Sequence, residues 1–110
     1  MRRGDVVTVA VPGDYGKPRP AVIVQSDGFP DSHPSVVVCQ MTSRLVDVAD
    51  FRVTTIEPTS ENGLRTPSQV MADKPVTIRR ERIGQQIGRL GADDMARLNV
   101  ALAFVMGLAD

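Results

Sequence analysis

Short runs of β-branched residues, separated by loops rich in Pro and Gly, make up most of the chain. Val and Ile favour extended backbone, and runs this short are typical of strands rather than helices. The loops contain too much Pro and Gly for a helix or a central strand. The pattern predicts strands over residues 6–11, 21–24, 35–42, 52–56, 68–72 continuing into 76–78, and 87–90, with a single helical turn over residues 79–82.

Only the C-terminal segment has the spacing of a helix. Two acidic residues open it, where the helix dipole favours negative charge, and apolar residues then recur three or four positions apart. The predicted helix covers residues 92–108, and its later turns are apolar on nearly every side. Because such a helix must be covered on every side, we expect Phe104, with Val100 or Leu108, to pack against a second copy of the chain.

The order of these elements predicts the fold class. Many short strands followed by one helix indicate an α+β fold, here a small, partly closed antiparallel barrel. A chain of 110 residues is enough for one domain, which we expect to span residues 1–110. Hydrophobic residues make up 42% of the chain and aromatic residues only 4%, so the core must be built mainly from aliphatic side chains.

Nothing in the pattern predicts export or a membrane span. The charged first residues are not followed by the apolar stretch of a signal peptide, and the most apolar segment, residues 100–109, is too short to cross a bilayer. The one cysteine, Cys39, lies in an apolar run and is expected to be a small buried hydrophobe. These features favour a cytoplasmic protein with no membrane contact.

The balance of charge and the scarcity of metal-ligating residues exclude some function classes. Basic and acidic residues balance at 13 each, so net charge does not favour nucleic acid, although a local basic groove is compatible with the clusters at residues 17–19 and 79–89. The single histidine, His33, has no second His or Cys at ligand spacing. We therefore expect no metal, no cofactor and no histidine-dependent hydrolase.

The remaining polar residues suit the handling of a phosphodiester. Arg19 lies between Pro18 and Pro20, so its backbone is restrained, and the planar guanidinium matches a phosphate group. Thr42 and Ser43 end the third predicted strand and offer hydroxyl donors near the same rim. From residue types alone, each of these features is also compatible with an ordinary stiff turn.

Taken together, the motifs are more specific than any one of them. In order along the chain they are Arg-Gly-Asp-Val-Val at 3–7, Arg-Pro-Ala-Val-Ile-Val-Gln at 19–25, Val-Cys-Gln-Met-Thr-Ser at 38–43, Ser-Gln-Val-Met-Ala-Asp-Lys-Pro-Val-Thr-Ile at 68–78, and Ile-Gly-Arg-Leu at 87–90. This ordered set resembles the MazF/PemK family of toxin endoribonucleases across nearly the whole chain. The resemblance implies an SH3-like antiparallel β-barrel with a C-terminal α-helix.

The same resemblance implies an activity and partners. Members of the family are homodimers, are paired with a cognate antitoxin, and cleave single-stranded RNA, mRNA included, at short sequences. The cleavage needs no metal and leaves a 2′,3′-cyclic phosphate and a 5′-hydroxyl. We expect the antitoxin to be a short acidic segment that folds over the groove and covers Arg19.

Individual residues take roles from the matched motifs. Arg19 matches the arginine of the Arg-Pro motif and would neutralise the charge of the phosphorane; Thr42, with Ser43 beside it, matches the strand-end hydroxyls that contact the scissile phosphate. We therefore predict Arg19 and Thr42 as catalytic and Ser43 as substrate-binding. Asp73 matches an acidic position that some members use near the site, and is also expected to bind substrate.

Two departures from the family pattern concern proton transfer. Some members place a histidine in the first loop, which here has none, and Met71 stands where some have an arginine. A base other than a loop histidine is therefore expected, and Lys17 and Tyr15 are the loop side chains proposed to contact substrate.

One alternative function comes from the fold itself. Toxins of the CcdB type share this fold and poison DNA gyrase without cleaving anything. They use an aromatic residue at the C-terminal end of the helix, whereas this chain ends Met-Gly-Leu-Ala-Asp and contains no Trp. Arg19 and the Thr42–Ser43 pair favour the ribonuclease.

Overall fold

The computed structural model describes residues 1–10, 17–47 and 55–108, which form an antiparallel sheet of five strands followed by one helix. The elements are β1 (Asp5–Val9), β2 (Arg19–Ile23), β3 (Ser35–Thr42), β4 (Gln69–Arg79), β5 (Ile83–Arg89) and α1 (Ala92–Val105), with a 3-10 turn at Arg80–Arg82. The strands lie in the order β4-β3-β2-β1-β5. No helix in the described ranges is both long enough and apolar enough to cross a membrane.

The predicted elements are largely confirmed. β3 has the predicted bounds, and the helical turn after β4 is present. The pieces predicted at 68–72 and 76–78 form the single strand β4, because β4 is an edge strand, where a proline such as Pro75 need not break a ladder. Of the strand predicted at 52–56, residues 52–54 lie outside the described residues, and Ile56 forms an isolated bridge with Ser68.

The predicted α+β class is confirmed, and the structure adds the degree of closure of the sheet and the length of the helix. The described strands do not form a closed barrel: β4 and β5 lie at opposite ends of the strand order and are not paired with each other. A 3-10 turn of three residues nevertheless joins the end of β4 to the start of β5, so the two edge strands come close at that end and the sheet is partly closed, as predicted. The helix is shorter than predicted, because Gly107 adopts a φ of 71° just after it, a conformation that commonly ends helices.

Side chains on the two faces of the sheet form two separate clusters, because successive residues of a strand point to opposite faces. The cluster under α1 contains Val6, Val22, Cys39, Met41, Ile56, Leu64, Val70, Ala72, Leu90, Leu98, Ala101 and Leu102. The other contains Val7, Val9, Ala21, Ile23, Val36, Val38 and Ile78. No helix in the described ranges covers this second cluster, so the sheet must curl around it. The groove described next lies at one end of this sheet.

Candidate active site

A groove of about 710 Å³ lies at the end of the sheet where β2 begins and β3 ends. Antiparallel pairing of these strands sets Ala21 opposite Gln40. Extending that register by two residues brings Arg19 opposite Thr42, and both side chains line the groove. The register therefore joins the two residues predicted as catalytic, although they are far apart in sequence.

The side chains that line the groove carry only positive charge. The lining residues are Thr8, Pro18, Arg19, Pro20, Gln40, Met41, Thr42, Ser43, Gly63, Leu64, Arg65, Thr66, Ser68, Met71, Gln85 and Ile87. This set contains two arginines and no aspartate or glutamate among the described residues. The other polar members carry neutral hydroxyls and amides, which can donate as well as accept hydrogen bonds. The groove thus has the composition of an anion-binding site on a chain of zero net charge.

Side-chain hydrogen bonds hold the hydroxyl and the chain at the end of β3. The Oγ1 atom of Thr42 accepts a hydrogen bond of 3.0 Å from the backbone N–H of Arg44. That bond occupies a lone pair of the oxygen and leaves the hydroxyl proton free for an acceptor in the groove. The amide of Gln69, at the start of β4, bonds both the N–H and the carbonyl of Val46 at 3.2 and 2.9 Å. The segment after Thr42 is therefore tied to the sheet.

One wall of the groove is the segment before β4, and Asn62 organises its fold. The Asn62 side chain is buried and accepts hydrogen bonds from the N–H groups of Thr59 and Leu64, at 2.9 and 3.0 Å. It donates to the carbonyl of Glu57 at 2.9 Å. Ile56 and Ser68 exchange two backbone hydrogen bonds, of 2.7 and 3.1 Å, which join the two ends of the segment. All of these partners lie within the segment, which makes it a compact loop.

Two glycines hold this loop against β5. Gly63 has a φ of 69°, and a β carbon there would lie 1.9 Å from the carbonyl oxygen of Ile87. A β carbon on Gly88 would lie 2.3 Å from the carbonyl carbon of Asn62. The backbone N–H of Arg89 donates to the carbonyl of Glu61 at 2.8 Å across this contact. Backbone packs directly on backbone here, which only glycine allows.

Comparison with known proteins decides the family. The sequence profile described as PemK-like, MazF-like toxin of type II toxin-antitoxin system matches residues 2–106. The chain belongs to this family. A protein of Mycolicibacterium smegmatis named "Probable endoribonuclease MazF" is 44% identical over 110 residues, covering 99% of each chain.

Solved structures of similar proteins have the same fold. An endoribonuclease from a mycobacterial species, in complex with its cognate antitoxin, superposes with a TM-score of 0.81 at 25% identity, covering 98% of this chain and 96% of that one. The Mycobacterium tuberculosis toxin MazF-mt6 superposes with a TM-score of 0.79 at 24% identity, covering 94% and 96% respectively. The five-stranded sheet with its C-terminal helix is thus the fold of MazF toxins.

In this MazF-like toxin the groove gathers some of the predicted site residues and not others. Arg19, Thr42 and Ser43 line it. Lys17 is exposed two residues before Arg19 but is not among the lining residues, and Tyr15 lies outside the described residues. The sequence did not single out the other polar groups of the groove, which are Thr8, Gln40, Arg65, Thr66, Ser68 and Gln85.

Asp73 is not among the residues that line the groove of this MazF-like toxin. Its Oδ1 atom is buried without a described hydrogen-bond partner. It lies close to Cys39, whose thiol is fully buried. Burial raises the pKa of the Cys39 thiol to about 11, the Asp73 carboxylate adds to the rise, and the Arg3 guanidinium opposes it. Cys39 is therefore a neutral thiol at physiological pH, as predicted for a buried hydrophobe.

His33 lies in the loop before β3, and its imidazole stacks edge-on with Phe29 at a centroid distance of 4.9 Å. Its backbone carbonyl accepts a hydrogen bond of 2.8 Å from the Nε of Arg80. Neither residue lines the groove. Within the described ranges, no cluster of three or more His, Cys, Asp or Glu side chains is arranged to hold a metal ion.

Proposed function

We propose that this MazF-like toxin is a metal-independent endoribonuclease that cleaves single-stranded RNA in the groove containing Arg19 and Thr42. The observation that carries the proposal is the pairing of these two side chains in a groove whose described lining has two arginines and no carboxylate. An RNA strand is a polyanion, and a groove of this composition attracts it at neutral pH. The similarity to a protein named as an endoribonuclease, at 44% identity, supports the same activity.

The proposed reaction needs no water and no external nucleophile. The ribose 2′-oxygen attacks the adjacent phosphorus, the bond from phosphorus to the 5′-oxygen breaks, and a 2′,3′-cyclic phosphate and a 5′-hydroxyl result. One proton leaves the 2′-hydroxyl and one reaches the departing 5′-oxygen. The phosphorane between these steps carries an additional negative charge, and stabilising it is the largest contribution that fixed donors can make.

Each residue of the groove takes a role that its chemistry permits. The Arg19 guanidinium is always charged and binds phosphate oxygens through two parallel N–H donors. Thr42 donates its free hydroxyl proton to a non-bridging oxygen, and Ser43 is adjacent to it in the groove. Lys17 and Tyr15 remain proposed substrate contacts, whereas Asp73 does not line the groove and takes no role in this proposal. Specificity for a short RNA sequence would come from the amides and hydroxyls around this centre, which can bond base edges.

The outer face of α1 supports a homodimer. Val100, Phe104 and Leu108 follow one another at intervals of four residues and are 71, 51 and 77% exposed. Val100 and Phe104 therefore lie on one side of α1, and Leu108 follows just beyond the end of the helix. An exposed apolar patch of this kind marks a protein interface, and two copies related by a two-fold axis would cover each other's patches.

An antitoxin completes the proposal. The similar endoribonuclease of known structure was solved with its cognate antitoxin, and membership in a type II toxin family implies such a partner. We propose an acidic segment that folds onto the groove over Arg19, because its carboxylates would meet the charges that otherwise bind RNA.

Cleavage of a long RNA in the presence of EDTA tests the function. We expect cleavage with EDTA present and cyclic phosphate ends on the products. Arg19→Ala should lower the cleavage rate by at least about a hundredfold, on the scale of losing one charge-stabilising donor. Thr42→Ala should cost less, since a neutral hydroxyl is a weaker partner for a phosphorane than a guanidinium.

His33→Ala is the matched control, because His33 is outside the groove; it should cleave at the wild-type rate. An activity that requires added Mg²⁺, or an Arg19→Ala variant with normal cleavage, would overturn the proposal. Inhibition of DNA gyrase by a protein that leaves RNA intact would establish the CcdB-like alternative instead.

A further inference from the structure

Arg65 is the second arginine of the groove, and no motif in the sequence points to it. Its side chain is exposed and lines the groove together with Arg19. The ion pairs of the described residues use other side chains, joining Arg89 to Asp5 and Arg97 to Asp94. Among the described residues, no carboxylate lies within ion-pair distance of the Arg65 guanidinium, and its charge is therefore available to a ligand.

The backbone on both sides of Arg65 is fixed. Leu64, the preceding residue, is only 8% exposed, belongs to the core under α1, and donates its N–H to the Asn62 side chain. Three residues after Arg65, Ser68 is held by the backbone bridge to Ile56. A side chain whose backbone is already ordered loses less entropy on binding than one on a free loop. This is the arrangement expected of a binding residue and not of a solvated surface charge.

The size of the groove leaves room for more than one phosphate. A volume of about 710 Å³ is in the upper part of the range of about 300–1,000 Å³ typical of pockets for drug-sized ligands. A strand of RNA carries one phosphate per nucleotide, so a strand that places its scissile phosphate at Arg19 and Thr42 brings neighbouring phosphates into the same groove. Arg65 is the other charged side chain in the described lining.

We infer that Arg65 binds a phosphate that flanks the scissile one and thereby sets the register of the RNA strand. The inference rests on the proposed ribonuclease function and adds a substrate-binding residue to it. Arg65 acts in binding, whereas Arg19 acts on the phosphorane. Loss of Arg65 should therefore weaken RNA binding with little effect on the rate at saturating RNA.

The first measurement is the affinity for a short RNA that spans a mapped cleavage site and has a 2′-deoxy nucleotide there, so that it binds without being cut. Arg65→Ala should bind about tenfold more weakly, and the dependence of log affinity on log salt should become shallower by about 0.7, as for one lost phosphate contact on a single strand. The rate at saturating cleavable RNA should stay within about threefold of wild type. Arg65→Gln, which keeps the first three side-chain carbons and a polar end group but removes the charge, should match Arg65→Ala.

Arg79→Ala is the control for loss of charge alone. Arg79 is exposed and pairs with Ser35, at the opposite end of the β3–β4 ladder from Thr42 and Gln69. Arg79→Ala should leave the RNA affinity, its salt dependence and the cleavage rate unchanged. If it weakens binding as much as Arg65→Ala does, the effect is one of general charge and the inference is wrong.

The second measurement identifies the phosphate. A series of RNAs, each with one phosphate replaced by an uncharged methylphosphonate, should contain one flanking position that weakens wild-type binding about tenfold and does not weaken Arg65→Ala binding further. If every position weakens both proteins equally, Arg65 does not contact a phosphate. If wild type neither binds nor cleaves RNA, the proposed function fails; if it does both while Arg65→Ala behaves as wild type, only the present inference fails.

Discussion

Replacing Gly88 by alanine should detach the loop that carries Arg65 from the sheet. A β carbon on Gly88 would lie 2.3 Å from the carbonyl carbon of Asn62 and 2.5 Å from the carbonyl oxygen of Glu61. Carbon atoms in contact are about 3.5 Å apart or more, so one backbone must move by about 1 Å. Neither partner is the end of a flexible side chain, and rotation of a side chain cannot relieve the overlap.

The expected cost follows from what the movement breaks. The hydrogen bond from the Arg89 N–H to the Glu61 carbonyl, 2.8 Å long, spans this contact, and losing it costs about 1 kcal/mol. Overfilling a packed site costs about 1–3 kcal/mol. We expect Gly88→Ala to lower the free energy of unfolding by about 2–4 kcal/mol. Gly91→Ala should cost less than about 1 kcal/mol, because a β carbon on Gly91 meets nothing within 4 Å.

Urea unfolding followed by far-ultraviolet circular dichroism measures both variants. The effect on function is measured as the RNA affinity of Gly88→Ala, both alone and combined with Arg65→Ala. If the Gly88 contact positions Arg65, then Arg65→Ala should weaken binding less in the Gly88→Ala background than in wild type, since coupled residues are not additive. Equal stability losses for Gly88→Ala and Gly91→Ala would refute the steric argument. If the effects of Gly88→Ala and Arg65→Ala on RNA affinity simply add, the positioning argument is refuted.

Two further predictions concern the core and the helix. Stability should fall as pH rises from about 9 to about 11, because the native Cys39 thiol, with its pKa raised by burial to about 11, keeps its proton while the unfolded-chain thiol loses one at its ordinary pKa of 9.0. The full loss in the free energy of unfolding is about 3 kcal/mol. Cys39→Ala should lack this part of the pH dependence, and a variant whose stability varies with pH as the wild type does would contradict the prediction. Phe104→Asp should give a monomer in sedimentation at micromolar concentration, whereas Asn99→Ala, which is exposed on another side of the same helix, should remain dimeric. A wild-type protein that sediments as a monomer would disprove the interface.

Much of the sheet could be predicted from the sequence, because short β-branched runs bounded by Pro and Gly have few other stable conformations. The pairing of β5 with β1 could not be predicted in this way. The 3-10 turn at Arg80–Arg82 joins β4 to β5, yet β5 pairs with β1 and not with β4. The turn itself was predicted, but the choice of partner strand is a long-range property that local sequence does not encode.

The site could be predicted as far as regular pairing extends. Arg19 and Thr42 occupy matching ends of neighbouring antiparallel strands, so a correct pairing of β2 with β3 brings them together. Asp73 shows where regular pairing fails. Strict alternation along β4 would put Asp73 on the same face as Met71, which lines the groove. The register of β3 and β4 shifts between the Cys39 and Met41 pairs, and an irregularity of this kind reverses the faces of the residues beyond it.

The reversal can be followed along β4 itself. Val70 and Ala72 belong to the cluster under α1, whereas Ile78, an even number of positions further on, belongs to the cluster on the opposite face. Residues separated by an even number of positions can change face only if the strand contains an extra residue between them. Asp73 lies within that interval, which accounts for its position beside Cys39 and away from the groove.

Charge illustrates a more general limit of sequence analysis. A net charge of zero, from 13 basic and 13 acidic residues, argued neither for nor against RNA. Folding separates these charges, because Asp5 and Asp94 pair with arginines away from the groove, while the described groove lining includes Arg19 and Arg65 and no carboxylate. A polyanion responds to the local potential and not to the total charge, since the field of distant charges is screened over about 10 Å at ordinary salt concentrations. A neutral chain can therefore present a strongly anion-selective groove, and only the arrangement of its strands and loops determines whether it does.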